Sequence, residues 1–322
     1  MAGSPRYPDF IIIGAMKAGT TALHDHLSKH PSLFLSKKKE PQYFSSPGEG
    51  QLPPWVLPTD LHSQKRMVVT KEQYKELFSG GGGRIAGESS VMYLHDPSSA
   101  ARAAAANPEM KVIALLREPA ARAFSAWSFL VRLGLEDLDF EQALAAEPDR
   151  IMGPGFHYVE MGAYARELEP WIVAFGRDQV LPIDFARFSR NTSDVINEVC
   201  GFLEIDPSLI PEKVAMRNTG GQIPSGRFQR WFVRRVRIIV SDRIPSRIAH
   251  PINLVWQKLF MRDVEPMPHA TAEEIRTRLL EQTELLEQML GWDLGGFNWT
   301  TQRVQRVSLS ASYNRVSCAD VR

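Results

Sequence analysis

Residues 10–21 read Phe-Ile-Ile-Ile-Gly-Ala-Met-Lys-Ala-Gly-Thr-Thr, and this stretch decides the fold. Phe10 to Ile13 is a short apolar run that stops at Gly14, and a strand entering a glycine-containing turn is the expected opening of an α/β unit. Beyond the turn, Thr21 to His30 reads as a helix with Ala22, Leu23 and Leu27 as its apolar contacts, stopped before Pro31. Gly14 to Thr21 therefore lies at a strand end and opens a helix. Its glycines permit a tight turn, Lys17 sits within it, and Thr20 and Thr21 stand at the helix start. Backbone N–H groups, the helix dipole and an ammonium together make an anion cradle.

The bland alternative is a tight turn with an exposed lysine. Strand, glycine turn, hydroxyls and helix each assist anion binding by a separate physical route, so a phosphate-like ligand is the sharper reading. The turn is P-loop-like only in part, because the nucleotide-triphosphate loop wants its lysine directly after the last glycine, and here Lys17 precedes Gly19. Working outward, Val112 to Leu116 is the clearest second buried strand, and it delivers Arg117 to its end. A strand-end arginine reaching a crevice can clamp a second phosphate bidentately, and Ser125, about two turns later, can add a hydrogen bond. A structural salt bridge explains Arg117 equally well. Lys37, Lys38 and Lys39 precede Glu40. They form either a charged surface loop or a setting in which Glu40 stays ionised and takes a proton from a substrate alcohol.

The remaining chain supplies the scaffold. Short strands are expected at Ile85 to Ser90 and Val180 to Ile183, and helices at Lys71–Phe78, Ser99–Ala106, Asp139–Ala145, Tyr164–Phe175, Thr192–Leu203 and Thr271–Leu290. Ser45 to Asp60, rich in Pro, Gly and Ser, reads as a long surface loop. The expected architecture is a three-layer α/β fold with a central, mostly parallel sheet and its crevice at the carboxyl ends of the strands. Residues 1–299 form one domain with long insertions, and 300–322 a tail or docking arm of unassigned role that holds Cys318.

Composition narrows the function classes. Among 322 residues, 38 Lys and Arg face 37 Asp and Glu, so no global charge draws the chain to nucleic acid or anionic membrane, and any anion site is local. Seven arginines between Arg227 and Arg247 alternate with Phe228, Trp231, Phe232, Ile238 and Ile239, a polyanion patch or an amphipathic helix with its arginines in water. Two cysteines, Cys200 and Cys318, make neither a disulfide framework nor a four-ligand zinc site; Cys200 reads as a buried thiol. No run is long and apolar enough to cross a bilayer, and nine residues before the first strand favour a complete cytoplasmic chain. No metal ligand set is expected.

At this point a family resemblance enters. The Gly14–Thr21 turn resembles the phosphosulfate-binding loop of the sulfotransferases, and Val112 to Phe129, VIALLREPAARAFSAWSF, resembles their 3′-phosphate signature. KEPQYF, Lys39 to Phe44, is similar to the lysine-glutamate-proline loop of the heparan-sulfate and related Golgi-type branch, and Gly162-Ala163-Tyr164 to its glycine-x-tyrosine. The resemblance implies 3′-phosphoadenosine 5′-phosphosulfate (PAPS) as donor, adenosine 3′,5′-bisphosphate (PAP) as product, and a carbohydrate or small-molecule acceptor. Carried over by position, Lys17, Ala18, Gly19, Thr20 and Thr21 hold the 5′-phosphosulfate, and Arg117 and Ser125 the 3′-phosphate. Arg217 and Asn218, in the late loop Met216 to Gly226, add donors. Glu40 falls where the carbohydrate branch has its general base, whereas cytosolic small-molecule members use a histidine; the histidine candidates here are His95 and His157. Tyr93, His157 and Tyr164 stand as acceptor contacts, with Trp55 and Tyr158 as further rings that could stack or pack.

Two other classes stay open on the sequence. A nucleotide kinase or related P-loop-like enzyme would need a metal-holding acid at a strand end, for which Glu88 and Asp184 are the candidates. A non-catalytic nucleotide- or polyanion-binding protein would act through Arg227 to Arg247.

Overall fold

The computed structural model describes residues 4–53, 56, 67–133, 135–150, 157–210, 222–224, 261–294 and 302–303. Its centre is a five-stranded sheet of β1 (Phe10–Gly14), β2 (Leu33–Leu35), β3 (Ile85–Ser89), β4 (Lys111–Leu116) and β5 (Val180–Asp184), in the order β2-β3-β1-β4-β5. Every pairing in it is parallel, with Phe10 opposite Gly87 on one side and Lys111 on the other. Parallel strands are covered on both faces, which is why they read as continuous apolar runs. Phe10, Ile11, Ile12 and Ile13 are all 0% exposed, as are Val112 to Leu116. At roughly 1.5–3 kcal/mol per fully buried large apolar side chain, these two runs anchor the core. Gly87 lets β3 approach β1, since a Cβ there would lie 2.3 Å from the Phe10 ring.

The helices follow as α1 (Thr20–Leu27), α2 (Lys71–Glu76), α3 (Pro97–Ala106), α4 (Pro119–Arg132), α5 (Phe140–Ala145), α6 (Tyr164–Phe175), α7 (Phe185–Arg190), α8 (Thr192–Phe202), α9 (His269–Arg278) and α10 (Leu280–Leu290). Helix α1 packs against α8, while α3 and α10 pack on α6, completing the three-layer α/β architecture. A second apolar cluster joins α4, α5 and α9 through Trp127, Phe140 and Ile275. Short antiparallel pairs join 222–224 to 261–263 and 292–293 to 302–303.

Strand order places the crevice. From β1 the chain crosses to β2 on one side of the sheet, and from β4 it crosses to β5 on the other. The connections that leave the carboxyl ends of the adjacent strands β1 and β4 therefore run to opposite sides, the position at which α/β sheets bind ligands.

Two expectations need correction. Thr271–Leu290 is not one helix but α9 and α10, interrupted at Leu279 with φ −109 and ψ 10, where the buried Leu279 turns into the core. The first helix ends at Leu27 rather than His30, because His30 leaves the helix to bond the Asp206 carbonyl. Trp55, Arg217, Asn218, Arg227–Arg247 and Cys318, on which further expectations rested, lie outside the described residues.

Candidate active site

The loop from Gly14 to Gly19 crosses the carboxyl ends of β1 and β4. Ala15 N–H donates to the Leu115 carbonyl at 2.6 Å and Ala18 N–H to the Ala15 carbonyl at 3.1 Å, tying its base to the neighbouring strand. Lys17 (φ 70) and Gly19 (φ 88) both take left-handed backbone, which turns the chain inside six residues. At Gly19 glycine is also needed for space, since a Cβ would stand 2.8 Å from the Phe185 ring. Helix α1 then starts with no side-chain cap on Gly19. Its first-turn N–H groups have no intrahelical partner and keep their capacity for an anion.

Cations converge on this loop. The Lys17 ammonium lies 4.3 Å over the Phe129 ring, and the Arg132 guanidinium 5.4 Å from the same ring. Burial, then the Arg132 charge, then the Arg117 charge lower the Lys17 pKa from 10.5 to about 8. Arg117, just past β4, donates through Nη1 to the Lys17 carbonyl at 3.0 Å and lies 5.0 Å over Phe185. Tyr164 Oη donates to the Arg117 carbonyl at 2.9 Å, so the glycine-x-tyrosine element buttresses the arginine's backbone. Ser125 is half-buried on α4, the helix that Arg117 leads into.

Glu40 reaches the same edge from the other side. Its loop follows β2, and Glu40 N–H donates to the Ser89 carbonyl at 3.0 Å. Its carboxylate Oε2 accepts from Val91 N–H and from Gln42 Nε2, each at 2.9 Å. Lys39 Nζ bonds Thr21 Oγ1, joining the Glu40 loop to the first turn of α1. Lys17, Thr20, Thr21, Glu40 and Arg117 are thus linked through three strand ends that are remote in sequence.

Other expected residues fall elsewhere. Tyr93 is 0% exposed, its hydroxyl accepting from Phe44 N–H, and Tyr158 is 0% exposed with its hydroxyl on Glu136 Oε2 at 2.7 Å. Tyr164 is 1% exposed. An acceptor cannot stack on rings closed in by protein, and the part of all three is packing and hydrogen bonding. His95 is buried against Glu167 Oε1 at 2.7 Å, and His157 lies 3.5 Å from Glu160 Oε2. Asp184 caps α7, accepting from Ala186 and Arg187 N–H groups at 2.8 and 3.1 Å, and Glu88 is fully buried among hydroxyls. Neither acid stands open at a strand end as a kinase's metal holder would. Among the described residues no group of His, Cys, Asp and Glu is arranged to hold a metal ion, and no helix is long and apolar enough to cross a membrane.

Sequence reading missed Phe129, Arg132, Phe185 and His24. Phe129 and Arg132 stand three apart on α4, and His24 stands one turn beyond Thr20 and Thr21, so helical spacing carried a signal for both. His24 Nδ1 lies 2.9 Å from Ser89 Oγ, and burial followed by the Lys39 charge lowers its pKa to about 4. It is therefore neutral at pH 7.

The donor's chemistry fits these residues. An uncapped helix start, a lysine whose ammonium has no carboxylate partner among the described residues and a strand-end arginine would accept two phosphate-type groups. Comparison with known proteins agrees. The sulfotransferase-domain pattern matches residues 7–219. A bifunctional heparan sulfate N-deacetylase/N-sulfotransferase of Drosophila melanogaster is 28% identical over 213 residues, covering 63% of this chain and 20% of that protein. The heparan sulfate glucosamine 3-O-sulfotransferase 3B1 of Mus musculus is 24% identical over 225 residues, covering 68% of this chain and 52% of that one. The chain thus spans from a fifth to a half of the length of these relatives. The crystal structure of a sulfotransferase from Alicyclobacillus acidocaldarius superposes with a TM-score of 0.70 at 28% identity, over 90% of this chain and 98% of that one. With two thirds of its length matching the domain pattern, and with its loop, strand-end arginine and Glu40 gathered at one sheet edge, the chain belongs to the sulfotransferase-domain family.

Proposed function

We propose that this protein transfers the sulfuryl group of PAPS to a hydroxyl of a carbohydrate or small-molecule acceptor. The observation that carries this reading is the meeting of the uncapped Gly14–Thr21 loop, Lys17, Arg117 and Glu40 at the carboxyl ends of the central strands. PAPS, when bound, supplies a sulfuryl group already activated by its phosphate leaving group.

The protein's residues divide the remaining work. Loop N–H groups with Thr20 and Thr21 would hold the 5′-phosphosulfate, while Arg117 and Ser125 would hold the 3′-phosphate. Lys17, charged below pH 8, would stabilise the negative charge that grows on the leaving oxygen. Glu40 would take the hydroxyl proton as the new oxygen–sulfur bond forms, since an alcohol is too weak an acid to lose it unaided. Val91 N–H and Gln42 Nε2 both bond the charged form of Glu40 and aim it. Arg217 and Asn218 are proposed as further donor contacts and His157 as an acceptor contact. Low cysteine content, with Cys200 a buried thiol pushed up to about 11 by burial and then by Asp206, suits a reducing cytoplasm.

Calorimetric titration with PAP and with adenosine 5′-monophosphate, both free of metal, tests the donor assignment. PAP should bind at least about tenfold more tightly, the worth of one charge-assisted contact near 1.4 kcal/mol. Glu40→Gln should keep that affinity while losing transfer. Equal binding of the two nucleotides would remove the 3′-phosphate clamp and the reading with it.

A further inference from the structure

Behind Glu40 lies a second carboxyl that the mechanism does not use. Glu88, on β3, is 0% exposed. Its Oε1 accepts from Tyr74 Oη at 3.0 Å and its Oε2 from Ser90 Oγ at 2.9 Å, and Tyr93 bonds it through a third hydroxyl. A carboxylate buried without such donors would be strongly disfavoured.

The direction of these bonds matters more than their number. A hydroxyl has one proton to give. Ser90 gives its proton to Glu88 and so turns a lone pair to Gln42 N–H, which it accepts at 3.1 Å. Tyr93 bonds Glu88 in the same way and accepts from Phe44 N–H at 3.3 Å. Gln42 and Phe44 belong to the loop that carries Glu40, and Gln42 Nε2 donates to the Glu40 carboxylate at 2.9 Å. An unbroken chain of bonds thus runs from Glu88 through Ser90 and Gln42 to Glu40.

We propose that Glu88 is a positioning residue for Glu40: it orients the Ser90 and Tyr93 hydroxyls that clamp the Lys39–Phe44 loop, and its charge sets the field in which Glu40 takes up a proton. The inference rests on the proposed function only in naming Glu40 the base. The groups facing Glu88 are Tyr74 from α2, Ser90 and Tyr93 from the segment after β3, and Glu40 from the loop after β2. Burial raises the Glu88 pKa, the Tyr93, Ser90 and Tyr74 hydroxyls oppose that rise and the Glu40 charge adds to it, which leaves the group at about 7. Burial and the Glu88 charge hold the Tyr74 and Tyr93 phenols well above their usual range, so both stay protonated donors. Protonating Glu88 turns one acceptor into a donor, so one of the hydroxyls that donate to it must turn its proton elsewhere, and the bonds that orient Ser90 and Tyr93 toward the loop are no longer fixed. The repulsion between the two carboxyls is mutual, so the Glu88 charge acts on Glu40 as the Glu40 charge acts on Glu88.

The test is a carboxyl-carbon NMR titration of the full chain, with the Glu40 resonance identified by its loss in Glu40→Gln. In the parent protein that resonance should show a second inflection near pH 7, where Glu88 ionises. In Glu88→Gln, which keeps the shape and removes the charge, the second inflection should vanish while PAP affinity is retained. Ser90→Ala removes one bond that favours the Glu88 carboxylate and should move the inflection to higher pH, which keeps the test sharp if the Gln variant fails to fold. A Glu40 resonance with one step in the parent, or an inflection that Ser90→Ala leaves in place, would overturn the inference. Failure of PAP to bind the parent protein would strike the donor assignment alone.

Discussion

Lys17 offers the most direct physical test, because its proton is weakly held in the free protein. The pKa is lowered from 10.5 to about 8, first by burial and then by the Arg132 and Arg117 charges. A bound phosphate reverses that cost, since an anion against the ammonium favours its charged form. The sign follows from linkage. Free Lys17 loses its proton above pH 8, bound Lys17 keeps it toward its ordinary value, and binding above pH 8 must therefore take up a proton. PAP affinity is then fully present below pH 8 and falls about tenfold per pH unit above it. Full recovery to 10.5 would correspond to roughly 3 kcal/mol, and at about pH 9.5 the loss should be near thirtyfold. PAP adds no slope of its own, because its phosphates complete their ionisation near pH 6. The assay is calorimetric Kd for PAP across this range in the parent and in Lys17→Met. The parent should show the alkaline loss and the variant a weaker, flat profile. A flat parent profile, or an equal slope in Lys17→Met, would refute both the placement of Lys17 on the donor and the electrostatic cause of its shift.

Arg132 is the larger of the two charges acting on Lys17, so Arg132→Gln should move the alkaline limb of PAP affinity upward by about half a pH unit, through less repulsion across Phe129; an unmoved limb would show that the two cations are uncoupled. Gly19→Ala places a side chain at φ 88 against the Phe185 ring, costing at least about 1 kcal/mol of backbone strain before any ring movement. Thermal unfolding should fall by about 2–4 °C for a domain of this size, with weaker PAP binding. An unchanged Tm and Kd would mean that the loop relaxes freely.

Much of the fold could be read without coordinates. Phe10–Ile13 and Val112–Leu116 announced themselves as buried strands because both faces of a parallel sheet are covered, and continuous apolar sequence is what that environment selects. Lys17, Thr20 and Thr21 were visible because a strand, a glycine turn and a helix start lie within twelve consecutive residues. Tyr93 and Tyr164 were read as acceptor contacts, and Tyr158 was left open between stacking and packing, for the opposite reason. A tyrosine serves packing, hydrogen bonding or ligand contact equally well, and only burial separates these roles. The break at Leu279 carries no proline or glycine to mark it, and it follows from how the side chain packs.

Local order and composition by themselves determined the α/β class and pointed to the glycine turn and the strand-end arginine, since each is a matter of neighbouring residues and short-range geometry, whereas Glu40 was singled out by the resemblance to the sulfotransferase family. Tertiary structure alone decided that β1 and β4 are adjacent and bring Arg117 onto the Lys17 carbonyl, one hundred residues away. It alone put Arg132 and Phe129 beside Lys17, and set the fully buried Glu88 behind Glu40. Proton affinities depend on burial and on charges arriving from distant segments, and those distances exist only once the chain has folded.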